Sequence, residues 1–539
     1  MKAKMILSLI FILFCTALYA QRIHEPNSEI YKDIDRWEVQ GYIRNFLPLI
    51  RPYPIALIDK ILDEVILNGD ENARQKASLY RENLAPGSRF IHFGLMAQMQ
   101  GKNDEQGLMG AAYAEGLARF TELLSASCYL AEFGFTNEKE QPFNAPGTYS
   151  PYADIISDTA NIGGLELRPY WTSLVAIGKS DSYFQAGLAR TSVGPFYDNG
   201  IVVGPQTPIA GHFSYVFYRE QWSYELLFQA IAASDDFGGG AFPGKYNVVH
   251  AISVRPLENL EAGFIQALVF GGRFEPMYLV PFSFIFAMQT LYDFEDNAFM
   301  GFHLRWRPID TFLAKSQIYV DDLSFNGLFS GEMRFKLAFE AGISWAPKNS
   351  FLSKLDFDYT AVFPYCYTHW HQSDDDRYEP GSPNNLNYTH LGRNIGPDLE
   401  PNSDRISLRT AWNIIPPVDF NLRGYLIRHG NASDGLDKDP KEINDGSIFD
   451  DGSDSSGSKI IGNPRPNLFL LTQDVLDIRL GGGAGLTWTI PVSFGVFRIM
   501  GEYGIEYGWN RRIKGIGGGP EKGNNGLDQY WSIGGQWSW

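Results

Sequence analysis

Cysteine is nearly absent from this chain of 539 residues, with three in all. A disulfide-dense secreted scaffold is therefore excluded. Positive charge is also short: 45 Lys plus Arg stand against 62 Asp plus Glu, for a net charge of −17. Without a basic surplus to neutralise phosphates, a nucleic-acid partner is excluded. Beyond the first residues there is no apolar run of about eighteen, the length a membrane-crossing helix needs. No HExxH, GxSxG, P-loop or CxxC pattern occurs, so the common hydrolase, nucleotide and redox chemistries find no signature. No motif returns at the fixed period of a propeller or solenoid.

What the chain does contain is aromatic residues, 14% of the total, and 55 glycines. That pairing suits many short strands joined by tight turns. Lys2 and Lys4 precede the apolar run Met5 to Leu18 and then Ala20-Gln21. This is the pattern of a secretory leader cut after Ala20. Cys15 follows Phe14, where lipid attachment requires a small residue. The remaining cysteines, Cys128 and Cys366, lie far apart in strand-like stretches and read as free thiols, a single disulfide being the alternative.

After the leader, residues 21–87 read as a helical periplasmic segment. Ser28 is placed to cap a helix bearing Ile30, Ile34 and Trp37 on one side. Pro54 opens a second with the stripe Leu57, Ile58, Ile61, Leu62, Val65 and Ile66, and Ala73, Ala77 and Tyr80 mark a third. From about residue 88 to 539 the hydrophobic period switches to two. In EMRFKLAFEAGISW, Glu332, Arg334, Lys336 and Glu340 oppose Met333, Phe335, Leu337 and Phe339. In FMGFHLRWRP, His303, Arg305 and Arg307 oppose Phe302, Leu304 and Trp306, and FRIMGEYGIEYGW alternates in the same way. Strands of about ten residues with aromatics at their ends match lipid-spanning strands. Short connections such as RPLEN, RPID, APKNS, IPPVD and TIPVS alternate with long ones near 136–165, 192–210, 234–244, 272–296, 365–403, 429–475 and 509–528. This asymmetry is that of an all-β transmembrane barrel of about eighteen antiparallel strands, within a range of about 16 to 20, with short turns inside and long loops outside. The stretch YLVPFSFIFAMQTLYDF (278–294) is too continuously apolar for a lipid-facing strand and reads as a helix or inserted loop. The last residues, DQYWSIGGQWSW, alternate too, as expected of a strand that pairs with the first to close the barrel and that barrel-assembly machinery recognises.

Candidate chemistry concentrates in two places. The inner face mixes both signs: His303, Arg305, Arg307, Arg334, Glu340, Arg405, Arg409, Arg479 and Glu502 are its lumen-lining candidates, and the expectation is that such pairs brace the barrel. His303 reads as a hydrogen-bonded structural histidine. Two outward loops gather aromatic and planar polar groups, namely Tyr365, Tyr367, His369, Trp370, His371 and Asp374 in one, and Tyr197 and Asp198 in the other. Sugars are bound by ring stacking plus hydrogen bonds from Asp and His, so these eight are the candidate polysaccharide contacts, although aromatics also simply pack loops. The acidic runs DDDRYEP and DGSIFDDGSDSSG lack EF-hand spacing and read as solvated loops, so no metal, cofactor or catalytic residue is expected.

The stretches GLARTSVGPFYDNGIVVGPQTPIAGHFSY (187–215), GFHLRWRPIDTFLAKSQIYVDDLSF (301–325) and THLGRNIGPDLEPNSDRISL (389–408), with RPYP (51–54) in the helical opening, carry a resemblance. In their order and spacing, over most of the mature chain, the sequence is similar to the Wzi-type capsule assembly family of outer-membrane proteins. The resemblance implies a barrel with a periplasmic helical bundle, acting as a lectin that holds exported capsular polysaccharide at the surface of a Gram-negative cell. It implies no catalytic residues and transfers no set of sugar contacts. The runner-up is a porin or sugar-uptake channel. A porin needs an open lumen and conductance; a lectin needs a blocked one. The partners expected are therefore capsular or other surface polysaccharide, outer-membrane lipid and the assembly machinery.

Overall fold

The computed structural model describes residues 25–82, 84, 87, 89–136, 160–235, 239–294, 296–321, 336–369, 383–415, 417–430, 448, 470–471, 475–493, 495–512 and 520–539. The leader region, Arg334, Trp370, His371, Asp374 and both acidic runs, Ile448 excepted, lie outside them.

Eighteen antiparallel strands close into one barrel. They are β1 (Arg89–Lys102), β2 (Glu105–Arg119), β3 (Leu124–Phe135), β4 (Leu165–Lys179), β5 (Ser182–Ala189), β6 (Ala210–Tyr218), β7 (Trp222–Ala233), β8 (Phe242–Leu257) and β9 (Leu260–Gly271). After a long excursion come β10 (Asn297–Ile309), β11 (Phe312–Asp321), β12 (Lys336–Trp345), β13 (Leu352–Val362), β14 (Ser403–Ile415), β15 (Val418–His429), β16 (Asp477–Val492), β17 (Gly495–Trp509) and β18 (Gly526–Ser538). Each pairs with its neighbours in sequence, and β18 pairs with β1 from Gly94↔Ser538 to Lys102↔Tyr530. The long connections named from the sequence fall within a few residues of the gaps between these strands, because side chains of a strand alternate between faces whatever their neighbours are.

At one end of the barrel every connection is short, such as 180–181, 258–259 and 310–311. The longer excursions all lie at the other. Outward positions are apolar and exposed, among them Leu95, Trp171, Phe302, Trp306, Leu408, Leu480 and Ile505. This is the solvation that hydrocarbon demands: apolar outside, with the backbone of the wall paired from strand to strand around the closed sheet.

Three helices, α1 (Glu29–Val39), α2 (Ile55–Asn68) and α3 (Glu71–Glu82), precede the barrel. They do not stand apart as a separate arm. Ile34, Trp37, Ile58, Leu62 and Val65 form one core with Leu117, Tyr183 and Val216 from the inner wall. The Thr311 N–H donates to Val39 O at 2.9 Å, and Arg119 Nη1 bonds Leu84 O at 2.8 Å and Asp59 Oδ2 at 2.7 Å. The helices therefore stopper the short-turn mouth.

Two of the connections expected to face outward turn inward instead. Residues 190–209 and 383–402 descend into the lumen, where Ile201, Val202, Val203, Tyr367, Tyr388 and Ile395 pack with Leu49, Val193 and the wall residues Leu227, Val249, Phe299 and Tyr319. The reason lies in the wall: inner positions here are apolar, and leaving them hydrated would forgo the burial that the loops supply. The expected break at 278–294 is also present, as a 3-10 turn at Pro276–Leu279 and the helix α4 (Ile285–Tyr292).

Candidate functional site

The centre of the molecule is where the helical segment meets the inturned loop. Residues 43–53 leave the helices and climb the lumen. Ile50–Arg51 form a short antiparallel pair with Ser192–Val193. The N–H groups of Leu49 and Ile50 donate to the two carboxylate oxygens of Glu225 on β7, at 2.9 and 3.0 Å. The Arg51 guanidinium lies 3.3 Å over the Tyr197 ring and bonds Asp35. Burial works against the Arg51 charge, but the Asp35 carboxylate outweighs it, so the guanidinium stays charged. Burial pushes the Tyr53 phenol up to about 12 and Tyr197 well above its usual range, so both remain neutral donors. Tyr53 Oη donates to Pro48 O at 2.8 Å.

Arg305 holds this junction to the wall. Its Nη2 donates to Leu47 O at 2.6 Å, and its Nε and Nη2 reach Glu261 Oε1 at 2.8 and 2.5 Å. Arg255 forms an ion pair with the other oxygen of Glu261 at 2.8 Å. His303 is buried with Nε2 3.3 Å from Glu261 Oε1. Arg307 reaches Arg44 O at 3.1 Å. Farther round the wall, Arg409 bridges Asp198 of the inturned loop, at 2.5 Å, and Asp358 of β13. Burial raises the Asp198 carboxyl, but Arg409, with Lys315 and Lys354 behind it, prevails and holds it at about 2. Arg423 pairs with Glu502, Arg479 with Asp477 at 2.9 Å, and Arg405 Nη1 bonds Asp398 O at 3.3 Å. Ion pairs thus run both within the wall and between the wall and the inturned loop. Glu340 departs from that pattern: its partners are the neutral donors Asn199, Gln317 and Thr360, at 3.0 to 3.2 Å.

The candidate sugar contacts separate into groups. Tyr197, Tyr365 and Tyr367 are buried in the plug, at 5%, 2% and 0% exposure, and have no ring face open to a ligand. Tyr367 Oη instead donates to Ile201 O at 2.7 Å and its ring stacks on Tyr388. Asp198 remains open to the lumen, and His369 is partly exposed, its N–H tied to Asn387 Oδ1 at 2.7 Å. Arg51, Glu225 and Glu261 were not singled out from the sequence. Glu261 shares the inward parity of its strand, which was a legible signal; Arg51 entered only as the first residue of RPYP, with no role attached to it.

Beside the plug a cavity of about 1930 Å³ remains. It runs from Glu29 and Arg36 of α1, past Asp198, Arg409 and Arg423, to Asp398 and Glu400 near the opposite mouth. Its lining carries side chains of both signs beside a larger share of apolar surface.

A closed eighteen-strand wall, apolar outside and occupied inside in part by its own chain, defines an outer-membrane-type β-barrel with a partly filled lumen. Among such barrels its fold is Wzi-like. The solved structure titled as Wzi of Escherichia coli, an outer membrane protein involved in group 1 capsule assembly and a carbohydrate-binding β-barrel, aligns over 94% of this chain and 98% of its own, with a TM-score of 0.55 and 12% identity. OccAB2 of Acinetobacter baumannii aligns over 84% of this chain and 98% of its own at a TM-score of 0.44 and 10% identity. OprD of Pseudomonas aeruginosa does so over 85% and 97% at 0.43 and 10%. Neither a family model nor a curated protein matches the sequence.

Proposed function

We propose that this protein binds exported polysaccharide and holds it at the cell surface, as a capsule assembly factor without enzymatic activity. The observation that carries the reading is the junction at Arg51. Chain from the short-turn mouth and chain from the long-loop end meet in mid-lumen and are fastened to the wall through Glu225, Glu261 and Arg305. Chain that fills part of the lumen narrows the section open to diffusion and gives a holder a rigid frame for its outer loops. The carbohydrate binding named for Wzi supports the same reading. Export through a leader at residues 1–20, insertion by the assembly machinery and an annulus of outer-membrane lipid belong to the proposal.

The contacts assigned to the glycan are Trp370, His371 and Asp374 with His369, joined by Asp198 where a chain enters the cavity. The test is retention of a panel of capsular polysaccharides by purified protein. Trp370→Ala should weaken retention several-fold, since one stacking side chain contributes on the order of 1 kcal/mol. Failure to bind any member of the panel sinks the reading. The cavity supports a second reading, a sugar-uptake channel; steady conductance in planar bilayers with unchanged retention in Trp370→Ala would put that reading first.

A further inference from the structure

The excursion between β9 and β10 does not extend from the loop end. It lies on the outside of the wall. Positions Tyr224, Phe228, Tyr246, Val248, His250, Gln266, Leu268 and Phe270 share the outward parity of β7 to β9, and these strands pair with one another in register. Outward parity means lipid, yet His250 and Gln266 are polar. Both are consumed by the excursion. His250 Nε2 lies 2.8 Å from Tyr278 O, and Gln266 both donates to Ser283 O at 2.5 Å and accepts from Ile285 N at 3.0 Å. Tyr224 completes the set, with its hydroxyl 2.9 Å from His250 Nδ1 and its ring stacked on Phe282 at 4.2 Å. Tyr278 and Ile285 join Phe228, Val248, Leu268 and Phe270 in a separate apolar core on the outer surface.

The depth of the excursion is set by its partners. It leaves β9 at Gly271 and descends to Tyr224 and Trp222, the last rows before the short turn at 219–221. From Gly271 to the row of Phe264 is roughly 20 Å along the strand, most of the apolar band of such a barrel. From Pro276 to Tyr292 no residue is charged; Arg273, Glu275, Asp293 and Asp296 stand at the two ends, with Arg273 and Tyr278 both bonded to Asp296. The face turned away from the barrel is Val280, Phe282, Phe284, Leu291 and Tyr292, each at least half exposed. It is continuous with the exposed Val254, Phe302 and Leu304 of the wall.

We infer that residues 272–294 form a re-entrant hairpin embedded in the membrane, whose outer face is covered by lipid acyl chains and whose irregular backbone takes partners from His250 and Gln266. Hydrocarbon offers no hydrogen bonds, so a non-helical turn at Val280–Phe284 survives there only with partners from protein. Two polar side chains on a lipid-facing wall are costly unless they supply those partners. Each anomaly is resolved by the other, and the charge-free stretch matches the depth at which it lies.

The test is spin labelling of Phe282→Cys in the full chain carrying Cys15→Ser, Cys128→Ser and Cys366→Ser, reconstituted in phosphatidylcholine bilayers. Ile533→Cys on the lipid face of β18 and Asn103→Cys at the loop end serve as references. Heat-modifiable migration selects the folded samples. The label at residue 282 should collide with oxygen as the label at 533 does and be shielded at least several-fold from a water-soluble nickel chelate. Chelate access matching that at residue 103 would place the hairpin in water and overturn the inference. Dipolar broadening between labels would show a second copy on this face and overturn it equally. In an unlabelled chain, Gln266→Leu should render 272–294 cleavable by added protease where the parent resists; equal resistance would refute the role given to Gln266.

Discussion

Phe93 and Trp539 exchange both of their backbone hydrogen bonds, Phe93 N–H to Trp539 O at 3.0 Å and Trp539 N–H to Phe93 O at 2.9 Å. With them the seam between β1 and β18 extends through the final residue. Trp539 also lies against Trp537, which stacks on Phe497 of β17, so the seam carries an aromatic cluster on its outer side. Deleting Tyr530–Trp539 unpairs Gly94–Lys102 on one side and Val496–Gly504 on the other. Open strand edges in lipid cost several kcal/mol per group. The deletion should abolish heat-modifiable, membrane-embedded protein, whereas Trp539→Ala should lower its amount without abolishing it. Normal insertion of the deleted chain would contradict closure by this strand.

Arg305→Ala should loosen the plug. It leaves Glu261 with Arg255 and His303 as partners and frees the Leu47 carbonyl. Removing one member of a buried ion pair costs on the order of 3 kcal/mol. Denaturant unfolding in detergent should report a loss of that size, together with raised conductance in planar bilayers. An unchanged midpoint would show that the junction contributes nothing to stability.

Labelling of intact cells distinguishes the two mouths and the inturned loops. A cysteine at Asn103 should react with an impermeant maleimide, while cysteines at Asp310 and at Val202 should not. Asp310 is in a short turn beside Gly41 of the helical stopper, and Val202 is buried in the plug although its loop starts and ends at the outer mouth. Reaction at Asp310 would reverse the orientation, and reaction at Val202 would mean that the loop is not docked.

The inturned segment carries a pH-sensitive pin. His390 Nδ1 accepts from the Ala232 N–H at 3.0 Å, and Nε2 bonds Ile209 O at 3.1 Å, so the docked ring is neutral. Burial pushes it below its ordinary 6.5; the Ile209 carbonyl opposes that, and Lys245 and Arg190 add repulsion against a proton. A histidine depressed in the docked state contributes its stabilisation in full above about 6.5 and loses it as pH falls from there towards the docked value, at about 1.4 kcal/mol per unit of depression. Hydrogen exchange of 388–395, corrected for intrinsic rates, should therefore quicken between pH 7.5 and 5.5, and His390→Gln should remove the dependence. Flat protection across that range in the parent would remove His390 from this role.

The sequence by itself determined the wall. Period-two alternation is a property of the extended backbone, so Arg305 and Trp306 had to face opposite ways before any partner was known. The count of strands, the short turns and the helical opening followed from equally local signals. The inside was decided by tertiary structure. Tyr365 and Tyr367 have a composition that suits an outward sugar platform or an inward core equally well, and only the apolar inner wall at Val249, Phe299 and Tyr319 drew this segment in. Arg51 became central because Ile50 meets Val193, a pairing of residues 143 apart that no local pattern announces. The stretch 278–294 was visibly not a strand, yet its place depended on His250 and Gln266. Their polarity on a lipid-facing parity was written in the sequence, but its meaning appeared only when the wall placed them under the hairpin's unpaired backbone.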